Sequence, residues 1–272
     1  MITFATIMKK SIFITEFVLL VCACTNNGKM AANINRLAFD SVVVDSTYAL
    51  TQEHNSPKCE VSISILYVKD HKNRIINHTL LESGIFTPDY LSLSKEKNNI
   101  KLAVHSFVNK YISDYKKDYG ELYRQDKKNG DLYNCSYKIK TQTQDGAENI
   151  LVYIASIYSY SGGSHGTSQT FVRNINIRNG HLITLNDIFV PGYEPTLKGM
   201  IVEKIYNKFK VNGFYDFKKQ YRYTDNNIYI PDNFILDEDK ITFIYCENEI
   251  APHRIGEIRI DIDKNYMNKI LR

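Results

Sequence analysis

Two short stretches gather the residues able to do chemistry. One is Tyr158-Ser159-Tyr160-Ser161-Gly162-Gly163-Ser164-His165-Gly166. The other is Phe243-Ile244-Tyr245-Cys246-Glu247-Asn248-Glu249-Ile250-Ala251-Pro252-His253. Paired glycines let a backbone take positive φ or approach another chain closely, so Gly162 and Gly163 would present Ser164 and His165 at a strand end. There His165 is either a ligand or acid–base group, or a hydrogen-bonded residue that fixes the turn. The second reading is simpler, because nothing at fixed spacing supplies a metal ligand or a base. Glu249, ahead of an apolar pair, is either a buried acid bonded to backbone amides or a contact for a partner, and again the structural role is simpler. Pro252 would end the strand after Tyr245. Proximity of His165 and Glu249 in space would favour a site for both. Tyr158 and Tyr160 share one strand face by the period of two, with Tyr153 opposite, and read first as sheet surface. The candidate ligand-binding set is therefore Tyr158, Tyr160, Gly162, Gly163, His165, Glu249 and His253.

Signatures of familiar enzymes are missing. The sequence has no Gly-x-Ser-x-Gly elbow, phosphate loop or His-Glu-x-x-His. Asp237-Glu238-Asp239 is a charge run in a turn, without the spacing of a calcium loop. No catalytic residue, cofactor or metal is expected. Beyond Cys24 lie Cys59, Cys135 and Cys246. Their spacing is not that of metal ligands, and an odd number leaves no complete disulfide framework, although one pair could close in an oxidising compartment.

The N-terminus carries the localisation signal. Lys9 and Lys10 precede the apolar run Ile12 to Val21. This is the layout of a secretory signal over residues 1–23, too short for the roughly 20 apolar residues of a bilayer span. Met8 would serve equally as the start. Val21-Cys22-Ala23-Cys24 resembles a bacterial lipobox, which would leave Cys24 acylated as the first mature residue; the alternative is an ordinary signal with a free Cys24. Acyl chains on Cys24 would hold the protein to a membrane, each buried methylene contributing about 0.8 kcal/mol. The net charge of +4 falls to about +3 once Lys9, Lys10 and Glu16 leave with the signal, too weak to argue for nucleic acid.

The elements that must position these residues follow from periodicity. Residues 24–37 are polar and aperiodic, a tether. Alternating apolar positions predict strands over 40–50 and 59–69, and a change of period predicts a short helix over 73–83. A long amphipathic helix opens at Ser94 and carries Ile100, Val104, Phe107, Val108, Tyr111, Ile112 and Tyr115 on one face. The polar stretch 121–131, ending in Asn129-Gly130, reads as a loop or turn. Strands follow around Tyr133 to Ile139, Ile150 to Tyr160 and Phe171 to Ile177, with Asn179-Gly180 turning into a hairpin. Leu197, Ile201, Ile205 and Phe209 mark another helix, and Ile241 to Tyr245 and Ile258 to Ile262 the last strands. Asp187 is expected to cap or pin the segment around Phe189, itself a core anchor, and Pro191-Gly192 a turn. The order predicts α+β: antiparallel sheet(s) with helices packed on one face, in two intimately associated subdomains over 38–130 and 131–272.

The two chemistry-bearing stretches, with Ile183-Thr184-Leu185-Asn186-Asp187-Ile188-Phe189 between them, resemble the extracytoplasmic domain family of the anti-sigma factor RsiV, also found beside the deacetylase domain of PdaC-type proteins. That family often shows Gly-Gly-Ala-His after a tyrosine-rich strand, a Thr-Leu-x-Asp-Leu-Phe segment, and Tyr-Glu-Ile-Ala-Pro-Tyr near the C-terminus. Here Ser164 stands for the alanine and His253 for the last tyrosine. The resemblance covers residues 134 to the C-terminus. It implies an outer domain that binds a partner, a lysozyme-like protein or a glycan such as peptidoglycan, without catalysis. Signalling through a membrane segment is not implied, since no such segment is read here, and neither is deacetylation, since that catalytic domain is absent. The expected protein is a binding module of the cell envelope, lipid-anchored and facing the periplasm or cell surface. The alternatives are an envelope hydrolase with a site near His165 and Glu249, and a structural lipoprotein without a soluble ligand.

Overall fold

The computed structural model describes residues 36–85, 99–221 and 228–272. The expected signal, Cys24, most of the tether and Ser94 lie outside them.

Strand β1 (Phe39–Ala49) runs antiparallel to β2 (Lys58–Val68). The chain then crosses over through α1 (Arg74–Glu82) and α2 (Ile100–Gln125). It re-enters the sheet as β3 (Cys135–Asp145), parallel to β2. A parallel step needs a long crossover, here helical, because a tight turn can only reverse the chain. Strands β4 (Ile150–Ser161), β5 (Thr167–Asn176) and β6 (Leu182–Ile183) follow by antiparallel hairpins, giving the order β1-β2-β3-β4-β5-β6. The α+β class is as expected, but the sheet is mixed: the parallel β2–β3 pair departs from the antiparallel arrangement expected. The short α3 (Leu185–Ile188) leads to α4 (Glu194–Phe209) and α5 (Phe214–Tyr221). A second, three-stranded antiparallel sheet closes the chain: β7 (Phe234–Leu236), β8 (Lys240–Tyr245) and β9 (Ile258–Asp263).

Alternate faces of β4 explain its apolar run. Leu151, Tyr153, Ala155 and Ile157 point into a core shared with Ile63 and Ile65 of β2, Ile76 and Leu80 of α1, and Val104 and Phe107 of α2. Ile150, Val152 and Ile154 point into a second core with Phe243 and Ile260 of the small sheet and Leu197, Ile201 and Ile205 of α4. A strand buried on both faces reads as continuous apolar sequence. Helices therefore belong to both cores. The boundary expected at 130/131 falls inside the large sheet, since β1 and β2 pair onward to β3, and the described residues group into one compact unit.

Two asparagines, Asn174 buried and Asn233 half-buried, join the sheets. The Asn174 amide donates to Phe234 O (2.8 Å) and accepts from Leu236 N–H (3.0 Å). The Asn233 amide donates to Thr170 O (2.6 Å) and accepts from Val172 N–H (2.8 Å). Each side chain supplies what a backbone neighbour would, satisfying polar groups at a buried edge that would otherwise cost about 1–3 kcal/mol apiece.

The polar stretch expected as a loop or turn is helical in its first part and a turn only after it. Helix α2 continues to Gln125 and a 3-10 turn spans Lys127–Tyr133. Buried Tyr123 meets Tyr133 edge-on at 6.1 Å, an anchor that keeps the chain wound. No described helix is long and apolar enough to cross a membrane.

Candidate functional site

The β4–β5 hairpin carries the first chemistry-bearing stretch at its tip. Gly162 and Gly163 both take positive φ, +81° and +95°. A Cβ at Gly162 would collide with the carbonyl oxygen of Leu132, so the glycine is required twice, for conformation and for close approach. Gly166 sits against the Tyr158 ring, where a Cβ would lie 2.5 Å from the ring carbons. The Tyr160 hydroxyl donates to Gly163 O at 3.0 Å, and Lys138 Nζ lies 6.0 Å from the Tyr158 ring centroid. The two tyrosines thus brace the turn from one strand face, and Tyr153 is fully buried on the other.

The second stretch leaves β8 as a tight loop. Asn248, at φ +66°, reverses the chain. Glu249 N–H donates to Cys246 O at 3.2 Å, and the Glu249 carboxylate accepts from Cys246 N–H and from the Tyr229 hydroxyl. Glu249 is therefore the clamp of its own loop. The Cys246 thiol donates to Thr170 O at 3.3 Å, tying the loop to β5. Burial and the neighbouring Glu249 push this thiol up to about 11, which leaves it protonated at neutral pH and no nucleophile.

The two stretches meet through histidines. The rings of His165 and His253 stack with centroids 4.1 Å apart at 33°. Ser164 Oγ lies 2.8 Å from His165 Nδ1, and His253 Nδ1 is bonded to Glu247, whose side chain is only 11% exposed. Glu247, not Glu249, thus holds the histidine. Its spacing from His253 spans the Pro252 turn and matches neither helix nor strand, so sequence pattern gave no signal for it. Ser164 and His165 are solvent-exposed. The arrangement offers two imidazole edges and a hydroxyl backed by a largely buried carboxylate, suited to hydrogen-bonding a polar ligand across an open surface.

A cleft of about 490 Å³ opens beside it, lined by Gln169, Phe171 and Arg173 of β5, Tyr229, and the loop from Cys246 to Glu249. His165 and His253 do not line it, so Glu249 and His165 do not face one cavity. The described residues hold no cluster of three or more His, Cys, Asp or Glu able to bind a metal. Nearby, Thr184 and Asp187 form a reciprocal capping box at α3, and Phe189 is fully buried, as expected.

Fold and site together describe an α+β domain whose histidine pair is built from two remote turns. Residues 186–265 match the family model of a protein of unknown function, DUF3298. That span includes Glu247, Glu249 and His253 but not the hairpin with His165. Two solved structures share the architecture. A member of the DUF3298 family from Bacteroides fragilis NCTC 9343 superposes with TM-score 0.74 at 26% identity, over 87% of this chain and 94% of its own. A DUF3298 family protein from Pseudomonas aeruginosa PAO1 gives TM-score 0.56 at 17% identity, over 87% and 94% respectively. A search of curated proteins finds no match.

Proposed function

We propose that the protein is a lipoprotein of the cell envelope, anchored through Cys24, whose folded part is a non-catalytic binding module. The observation carrying the binding role is the meeting of the two motif turns: residues 88 positions apart stack as His165 and His253 on an accessible surface instead of in a packed core. A purely structural histidine pair would be expected inside. The RsiV-type resemblance supplies the ligand class, a lysozyme-like protein or a peptidoglycan-derived glycan, and polar edges beside Tyr160 and an open cleft suit such a surface.

Calorimetric titration of the mature protein with hen lysozyme and with soluble peptidoglycan fragments tests this. Binding by one of them, weakened about tenfold or more by His253→Ala, about 1.4 kcal/mol, supports the reading; no heat with either ligand removes it. The anchor is tested separately. Globomycin, or Cys24→Ala, should leave an unprocessed precursor and release the chain from the membrane fraction, and unchanged processing would overturn the lipid anchor.

A further inference from the structure

Cys59 and Cys135 stand directly opposite each other in the parallel β2–β3 pair. Both are buried. Neighbouring strands lie about 4.8 Å apart, inside the Cα separation of about 4.4–6.8 Å that a disulfide spans. Side chains at paired positions leave the same face of the sheet, so the Cβ vectors do not diverge. Cys246 is occupied elsewhere, with its thiol on Thr170 O. Among the described residues, these two are the thiols that geometry allows to pair.

We infer that Cys59 and Cys135 form a disulfide when the chain folds in oxidising surroundings. The reaction needs an external disulfide, such as that of an oxidoreductase or a small disulfide compound. One cysteine thiolate attacks it, forming a mixed disulfide and releasing one thiol. The second cysteine then displaces the other half. Two protein thiols are oxidised to one S–S bond, and the external disulfide is reduced to two thiols.

The bond would do more than close a chain. It bridges the whole helical crossover of α1 and α2. On its other side Cys135 pairs with Ser161, the residue before Gly162. A covalent row across β2 and β3 would therefore stiffen the strand end from which the His165 turn projects. This inference draws on the proposed export only for the oxidising surroundings.

The test uses purified mature protein and needs neither export nor ligand. Chain reduced in denaturant is refolded in mixtures of reduced and oxidised glutathione, and the same poises are approached from refolded, oxidised protein. Samples are acid-quenched, denatured and alkylated. The expected result is a loss of two hydrogens in intact mass, a peptide pair joining Cys59 to Cys135, alkylated Cys246, and a Tm higher than that of the reduced protein by on the order of 10 °C. Cys246→Ala should give the same bond. Full alkylation of Cys59 and Cys135 at the most oxidising poise, or a bond to Cys246, overturns the inference. Failure here leaves the binding module intact, and failure of the ligand titration leaves the disulfide intact.

Discussion

Tyr115 buries a phenol without a receiver among the described residues: it is 3% exposed, and none of them hydrogen-bonds its hydroxyl. A buried donor left unmade costs more than an apolar replacement. Tyr115→Phe should therefore raise stability by about 1 kcal/mol, read from the midpoint of urea unfolding at unchanged slope. Asp187 is the opposite case. Burial pushes its carboxyl up, but hydrogen bonds from Thr184 and His181 outweigh that and hold it below the ordinary value. Its contribution is complete above the usual carboxylate value of about 3.9 and is lost as pH falls through the lower folded value. Asp187→Asn should accordingly lower Tm near neutral pH and flatten its fall below pH 4, and an unchanged acid limb would contradict the assignment. The role of Asp187 was legible in advance, because a threonine three residues before an acid is a capping signature. Glu247 was not, because only the folded loop brings it to His253.

At the scale of elements, the hairpin tip makes neighbouring glycines unequal. Gly163 has open space where a Cβ would go, so Gly163→Ala bears only the strain of positive φ, about 1–2 kcal/mol. Gly162→Ala adds a collision with the Leu132 carbonyl. It should destabilise clearly more and displace His165, seen as larger amide shift changes around 162–166 and 253 for Gly162→Ala than for Gly163→Ala. Both glycines were visible as a turn, and Asn179-Gly180 likewise turns into β6, with Gly180 at φ +71°. Which glycine meets a neighbour depended on where the 3-10 turn after α2 passes, and nothing local to the hairpin encodes that path.

For the whole molecule, β4 is the shared wall of two cores. Leu151 and Val152 are adjacent in sequence, and each is fully buried in a different core. Truncating either side chain should cost about 2–4 kcal/mol. If the strand couples the cores, Leu151→Ala and Val152→Ala each shift one calorimetric transition as a unit. Two resolved transitions, with only one moved by each variant, would show that the cores unfold separately.

The chain by itself determined its α+β class, the strands with period two, the faces of α2 and α4, the cap at Thr184 and Asp187, and the turns at Gly162 and Gly180. These depend on residues within a few positions of one another, where periodicity and backbone preference act. Only the tertiary structure decided that β2 lies parallel to β3, that Asn174 and Asn233 join the sheets, and that His165 finds His253 with Glu247 behind it. Those contacts link residues far apart along the chain, and their partners are selected by how buried faces and backbone hydrogen bonds are satisfied together, which no local spacing records.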